Sequence, residues 1–214
     1  MTDLSAAVLE HIPEGELVQT ELTLDEFLQH NPEEPPYLEY EGKGRVRRKM
    51  SPNTEHGAIA ARLCYLLGAY EERTRRVIYV YNDVRTNAGG LSVLPDISAY
   101  VGRPPAENER KQATTVADLS IEILSPGQTR EQQEAKCTWY IRQGGRFAML
   151  IDPPRREINV WVKSATANSV GAQARYGTAP GTYTTSPDET ISELEALLPG
   201  LNFSAQSIFS VLNR

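Results

Sequence analysis

The sequence predicts a mixed α/β domain in which a central β-sheet is flanked by helices. One long segment carries apolar residues at helical spacing, and several short β-branched runs follow it. A charged helical segment then precedes two further strand-like runs, an order typical of α/β folds. The chain has 214 residues, enough for one domain with a full core. We expect residues 1–20 to form an N-terminal arm and residues 21–214 to form a single domain.

Helices are indicated by caps and by apolar stripes. Thr23 and Glu26 fit a capping box at the start of a short helix. The clearest helix follows Asn53, and its stripe includes Ile59 and Leu63. The predicted helices cover residues 24–29, 54–73, 128–142 and 204–212.

Strands are predicted where β-branched and aromatic runs lie between turn residues. Residues 37–41 and 45–50 should form a hairpin, because Gly42-Lys43-Gly44 between them tolerates positive φ. The other predicted strands cover residues 77–81, 91–101, 117–124, 147–151 and 157–162. Residues 165–181 are small and polar and are predicted to be the least ordered stretch, and residues 183–185 are a candidate edge strand.

Composition and charge restrict the class of protein. Hydrophobic residues make up 40% of the chain and charged residues 23%, which is typical of a globular protein. The net charge of -6 argues against a protein that coats nucleic acid, although basic runs at 45–49 and 73–76 are either solvated faces or local binding patches. No apolar run is long enough to cross a membrane, and Met1–Glu10 does not resemble a secretion signal. We therefore expect a cytoplasmic protein with reduced cysteines.

Two carboxylates lie inside short apolar runs that read as buried strands. Asp96 belongs to Val93-Leu94-Pro95-Asp96-Ile97, and Glu122 belongs to Ile121-Glu122-Ile123-Leu124. A buried carboxylate is costly unless a cation or a hydrogen-bond donor meets it. A divalent cation shared by the two acids would remove their repulsion, and oxygen ligands suit Mg²⁺ or Mn²⁺. The alternative is a pair of strand-end acids that are solvated or bound to arginine.

The same repulsion has a consequence for stability. Two facing carboxylates without a metal disfavour each other's ionisation, so we expect at least one raised pKa. Asp96→Asn is expected to relieve this repulsion and to leave the metal-free stability equal or higher.

Phosphodiester hydrolysis also needs a cation that orients water or stabilises the transition state. Side chains alternate along a strand, so a lysine two residues after Glu122 would point to the same side, but that position is Leu124. The nearest replacement is Lys136 in the following helix, four residues before Tyr140. The alternative for Lys136 is an ordinary solvated helix lysine.

Several stretches together resemble the Uma2-type family (DUF820), a branch of the PD-(D/E)XK nuclease superfamily. The phrases Leu94-Pro95-Asp96-Ile97 and Glu122-Ile123-Leu124-Ser125-Pro126 are the most specific part of the resemblance. The matching stretches are residues 37–42, 50–52 with His56, 94–97, 117–126, 136–140, 150–153 and 198–201. The resemblance therefore extends over about residues 20–212.

The resemblance implies a restriction-endonuclease-like core, in which a helix precedes a three-stranded sheet, a second helix and a further strand. It implies that Asp96 and Glu122 bind Mg²⁺ or Mn²⁺. It also implies that the motif lysine has moved from the strand to the next helix, at Lys136, and that Glu39 completes the site. His56 is a further candidate, with a role at the start of its helix as the alternative.

The function expected from these residues is Mg²⁺-dependent endonucleolytic cleavage of DNA. One alternative is a catalytically inactive nucleic-acid-binding or regulatory module on the same fold. Another is a phosphoryl hydrolase that acts on a small substrate. Because a duplex has two strands and the domain has one site, a homodimer is also expected.

Overall fold

The structure, a computed structural model, describes residues 9–30, 37–108, 110–165, 170–177, 190–201 and 203–213. Within these ranges, four α-helices accompany two β-sheets. The helices are α1 (Leu24–His30), α2 (Thr54–Thr74), α3 (Arg130–Arg142) and α4 (Ala205–Phe209). Short 3₁₀ segments cover Ser192–Ala196 and Ser210–Asn213. No helix in the described ranges combines the length and apolarity that a bilayer crossing requires.

The strands are, in chain order, β1 (Leu17–Gln19), β2 (Leu38–Tyr40), β3 (Arg45–Arg48), β4 (Ile78–Asn82), β5 (Thr86–Ala88), β6 (Leu91–Val93), β7 (Ile97–Val101), β8 (Leu119–Ile123), β9 (Phe147–Asp152), β10 (Glu157–Lys163) and β11 (Val170–Gly177). The small sheet has the order β1-β3-β2-β6-β5, and the large sheet has the order β11-β10-β9-β8-β7-β4. Among the described strands of the large sheet, only the β8–β9 pair is parallel, and α3 connects these two strands. The order α2, β4–β7–β8, α3, β9 is therefore the helix, antiparallel sheet, helix and strand of the predicted core.

The main core lies between α2 and the large sheet. Ile59, Leu63 and Leu67 of α2 belong to one buried cluster with Ile97 and Ile121 of the sheet. This packing holds α2 against strands β7 and β8 of the large sheet. Removing so much apolar surface from water is the main term that stabilises the arrangement.

A second core lies under the small sheet. Leu9 and Ile12 pack there with Phe27, Leu38 and Val46. Residues that precede the predicted domain start thus contact the rest of the chain, and β1 pairs with β3. The division of the chain at residue 20 stays a prediction.

Side-chain caps fix where the helices begin. Thr23 and Glu26 form the expected reciprocal hydrogen bonds before α1. The Asn53 side chain accepts a 2.8 Å hydrogen bond from the His56 amide at the start of α2. Thr129 and Gln132 form a capping box that starts α3. His56 and the residues of α3 are therefore held in defined positions.

The predicted mixed α/β fold is confirmed, with local differences. Residues 91–101, predicted as one strand, form β6 in the small sheet and β7 in the large sheet. The interruption contains Pro95, which has no N–H for a sheet ladder. Residues 170–177, within the stretch predicted to be least ordered, form β11 and pair with β10. Glycine and alanine at positions 171, 172, 174 and 177 leave this stretch with too few large apolar residues for the sequence to indicate a strand. The candidate edge strand at 183–185 lies outside the described residues.

Gly44 should be essential to the hairpin of β2 and β3. Its φ is +74°, and a Cβ atom there would lie 2.0 Å from the Thr20 carbonyl oxygen. We expect Gly44→Ala to lower the free energy of unfolding by more than about 1 kcal/mol. Gly68 of α2 has open space around it, so Gly68→Ala should raise the same quantity by ~0.5–1 kcal/mol. Urea denaturation of both variants checks this, and equal effects would contradict the role assigned to Gly44.

Candidate active site

The two sheets meet at Leu94, between β6 and β7. The Leu94 amide donates to Glu39 Oε1 at 2.7 Å. The Leu94 carbonyl oxygen lies 2.9 Å from Lys49 Nζ and 3.5 Å from Lys136 Nζ. One residue of the interrupted strand thus connects a side chain of β2, a side chain that follows β3 and a side chain of α3.

Asp96 lies immediately before β7, next to the end of β8. Ile97 pairs with Ile121 across the two strands, which places Asp96 beside Glu122. The Oδ2 atom of Asp96 accepts a 2.7 Å hydrogen bond from the Ile123 amide, and its Oδ1 atom lies 2.9 Å from Lys49 Nζ. The residue is 5% exposed. Asp96 is therefore held by the β8 backbone on one oxygen and by a lysine on the other.

Glu122 faces α3. Its Oε1 atom accepts a 2.5 Å hydrogen bond from the Tyr140 hydroxyl and lies 3.1 Å from Lys136 Nζ. Lys136 and Tyr140 are one helical turn apart, so a single face of α3 supplies both contacts. The carboxylate is thereby fixed in position by the helix.

Lys136 connects two acids. Its Nζ atom is 2.7 Å from Glu39 Oε1 in addition to its contact with Glu122. Leu124, at the strand position where a lysine could have stood, packs in an apolar cluster with Val93 and Cys137. The cation of this site consequently comes from α3 and not from β8.

Lys49 and His56 complete the surroundings of Asp96. Lys49 also forms an ion pair with Asp83, whose side chain is half-exposed. The His56 ring lies 3.6 Å from Asp96 Oδ1 through Nε2 and 2.9 Å from Ser125 Oγ through Nδ1. Ser125 follows β8 closely, so the imidazole lies between the loop after β8 and the acid at the start of β7.

The three buried acids have different electrostatic surroundings. Burial raises the pKa of Glu122, and Asp96 adds to this rise while Lys136 opposes it, so that the pKa lies at about 7. Burial would also raise the pKa of Asp96, but the ammonium of Lys49 lowers it below its usual value. Lys136 and Lys49 outweigh burial in the same way at Glu39 and lower its pKa. Two lysines therefore compensate Asp96 and Glu39 well and Glu122 poorly.

The lysines and Tyr140 keep their protons. Burial would lower the pKa of Lys49 and of Lys136. Neighbouring carboxylates outweigh it and raise both pKa values above the usual one, with Asp96 acting most on Lys49 and Glu122 most on Lys136. Burial, followed by the charge of Glu122, raises the pKa of Tyr140 well above its usual value. Lys136 is consequently a permanent positive charge, and Tyr140 is a hydrogen-bond donor.

The acids fit a divalent cation in part. Among the described residues, no three His, Cys, Asp or Glu side chains form a metal-binding group. Asp96 and Glu122 nevertheless offer two hard oxygen donors, and Mg²⁺ is commonly bound by one or two carboxylates, water and substrate phosphate. Three buried acids, Glu39, Asp96 and Glu122, face the two lysines Lys49 and Lys136, so positive charge is in deficit here. The donor set and the charge therefore suit Mg²⁺ or Mn²⁺.

The structure brings together the four residues predicted for the site, Asp96, Glu122, Lys136 and Glu39. Sequence reasoning missed Lys49 as a site residue, because it ends a run of basic residues that suggested a solvated or binding surface. One signal for it was available, since two buried acids require more than one cation. The expected raised pKa is found on Glu122 and not on Asp96. The relief of repulsion that the sequence predicts for Asp96→Asn is therefore expected on substitution of Glu122 instead.

In metal-free protein, Glu122 should make stability depend on pH. Its folded pKa of about 7 exceeds the usual 4.5, so the folded state holds a proton that the unfolded state releases. Stability from this group is complete below pH 4.5 and is lost as the pH rises to about 7. We expect Glu122→Gln to reduce that loss, since Lys136 keeps Glu39 as its partner. Melting in EDTA from pH 4.5 to 8 checks this.

Asp96→Asn is the matched control, because the contribution of Asp96 to stability depends on pH in the opposite direction. The lowered pKa of Asp96 stabilises the fold above the usual pKa, and this contribution disappears only at lower pH. Asp96→Asn should therefore cost on the order of 3 kcal/mol at pH 7, because it removes one partner of a buried pair with Lys49. Identical pH profiles for the two variants would contradict the unequal compensation described above.

The comparisons with known proteins concern the fold and the family of the chain. No curated protein matches the chain. A solved structure from Anabaena variabilis, described as "a putative nuclease belonging to DUF820", superimposes with a TM-score of 0.73 at 24% sequence identity. The match covers 89% of this chain and 99% of that one and shows a common fold. The Uma2 family, described as "Putative restriction endonuclease", matches residues 24–206. The chain belongs to the Uma2 family.

Proposed function

We propose that this protein is a divalent-metal-dependent nuclease that hydrolyses phosphodiester bonds of DNA. The observation that carries the proposal is the pair Asp96 and Glu122, buried side by side with a deficit of positive charge and with the ammonium of Lys136 beside them. This arrangement lies on a nuclease-like fold of the Uma2 family. DNA is the substrate proposed because the family carries the description "Putative restriction endonuclease".

Asp96 and Glu122 are the residues that would hold Mg²⁺ or Mn²⁺. When bound, such an ion polarises a phosphoryl oxygen and acidifies a coordinated water. The protein's own part is to hold both acids in position. Lys49 and the Ile123 amide do this for Asp96, and Tyr140 and Lys136 do it for Glu122.

Lys136 is proposed to stabilise negative charge on the phosphoryl group. Its raised pKa excludes a role as a general base at neutral pH, because the ammonium does not release its proton there. Its contacts with Glu39 and Glu122 fix the ammonium before substrate arrives, so little reorganisation is needed in the transition state. Glu39 is thus a residue that positions the ammonium of Lys136.

Substitutions at Lys136 and Asp96 test the proposal. With Mg²⁺ or Mn²⁺, the wild type should cleave DNA, and Lys136→Met should reduce the rate by ~10²–10³-fold. Asp96→Asn should abolish cleavage. Lys111, whose side chain is 83% exposed, provides the matched control, and Lys111→Met should cleave like the wild type. The measurement is the rate of product formation from single-stranded and duplex DNA.

Metal binding separates the two roles and tests the inactive alternative. Mg²⁺ at about 100 times its dissociation constant should stabilise the wild type and Lys136→Met by ~2.7 kcal/mol, and Asp96→Asn much less. Equal shifts in all three proteins would remove Asp96 from the metal site. A normal shift without cleavage of any DNA would favour a nucleic-acid-binding or regulatory module that lacks turnover.

We also propose a homodimer, which would present two sites to the two strands of a duplex. Two-fold pairing is the commonest symmetry of oligomers. Static light scattering at high protein concentration should give twice the monomer mass. A monomer mass under those conditions would contradict the proposal, and a nicking monomer would then be favoured. Cytoplasmic location stays a prediction from the sequence.

A further inference from the structure

A cleft opens beside the acids, between the small sheet and α3. Its volume is about 260 Å³, and Glu39 and Lys136 belong to both the cleft and the acid cluster. Leu91 and Val93 of β6 lie on the sheet side, and Trp139 of α3 lies on the helix side. A group bound in this cleft would therefore be next to a phosphate held at Lys136.

One part of the cleft wall is apolar and aromatic, formed by Leu91, Val93, Ala135 and Trp139, whereas the other lining residues are charged or carry amides. Trp139 packs with its ring centroid 5.3 Å from that of Tyr140, the residue that donates to Glu122. Leu91 and Trp139 are partly exposed, so the cleft presents their surfaces to a ligand. Phosphate alone would not use such a surface, whereas a planar heterocycle would stack on an indole.

Two polar atoms in the cleft wall have no hydrogen-bond partner within the described part of the chain. They are the amide oxygen Oε1 of Gln133, a residue only 7% exposed, and the indole Nε1 of Trp139. One is an acceptor and the other is a donor, and the edges of nucleobases carry both kinds of group. Because both atoms are covered, each would reach a base through a rotation of its own side chain.

The rim of the cleft is basic on the side of β3. Arg47 forms a 2.5 Å ion pair with Glu41, so its charge is compensated. Arg45 is exposed, and its guanidinium donates to the neutral carbonyl of Glu41. Arg45 is therefore the side chain suited to a second backbone phosphate in the same cleft as Lys136.

We infer that this cleft binds one unpaired nucleobase of the DNA strand, stacked on Trp139, next to the phosphate that is cleaved. The inference rests on the proposed function and specifies its substrate. Pockets for drug-sized ligands measure about 300–1,000 Å³, so a cleft of 260 Å³ suits one base and not a base pair. A base in a duplex must first leave its stack, which costs free energy that a single strand does not spend. The protein consequently prefers single-stranded DNA or a duplex with an unpaired nucleotide.

Tryptophan fluorescence tests the cleft directly. The chain has two tryptophans, and the second, Trp161, is buried in β10, so Trp161→Phe leaves Trp139 as the reporter. The probe is a short oligodeoxythymidylate, added with Ca²⁺ as the cation. We expect it to quench Trp139, an abasic strand of equal length to leave the emission unchanged, and the paired duplex to bind at least tenfold more weakly. Equal responses to normal and abasic strands, or equal affinity for the duplex, would overturn the inference.

Substitution of Trp139 is the second arm. Trp139→Leu should weaken oligonucleotide binding, measured by anisotropy of a labelled strand, by about 5- to 100-fold, and Trp139→Phe should retain most of it. Tyr65→Leu, at an exposed aromatic residue outside the cleft, is the control and should bind like the wild type. If Trp139→Phe weakened binding as much as Trp139→Leu, the loss would reflect packing and would count against stacking.

The outcome for the cleft is separable from the outcome for the nuclease. Metal-dependent cleavage of single-stranded and duplex DNA at equal rates, with Trp139 unquenched, would retain the proposed function and overturn this inference. Base-dependent quenching without cleavage of any DNA would support the cleft and overturn the nuclease proposal.

Discussion

Charge compensation among buried acids is the constraint on which this structure depends. Glu39, Asp96 and Glu122 are 6%, 5% and 2% exposed, and a buried carboxylate without a partner costs several kcal/mol. Two lysines meet the three acids. The protein therefore folds around a site whose uncompensated charge is concentrated on one group, Glu122, which is also the place where an added cation gains most.

The two lysines come from different parts of the fold and hold different acids. Lys49 follows β3 and binds Asp96, whereas Lys136 lies in α3 and connects Glu39 with Glu122. A lysine that extends from the helix can contact acids of both sheets at once. The strand position at Leu124 is then available for apolar packing, which anchors α3 against the sheet. With the ammonium of Lys136 on the helix, the acids have their cation and Leu124 can pack in the core.

The sequence predicted the fold class and the acids because these depend on local patterns. Asp96 and Glu122 were recognisable as charges within apolar runs, and Glu39 was identified by family resemblance. Lys49 has no such pattern, because its partner Asp96 lies far along the chain and the two residues before it are arginines. The division of residues 91–101 between two sheets depends on tertiary contacts at Leu94, although Pro95 was a local sign of it.

The long sequence separation within the site affects how a cell can make this protein. Glu39 meets Lys136 across 97 residues, and Lys49 meets Asp96 only when the two sheets have docked. A chain emerging from the ribosome therefore has no assembled set of acids and ammonium groups until α3 has been synthesised and packed. Contacts so distant in sequence form late in folding, since their loop-closure entropy must be met first. In a chain built in this way, the acids and ammonium groups of the candidate site come together only with the final tertiary structure.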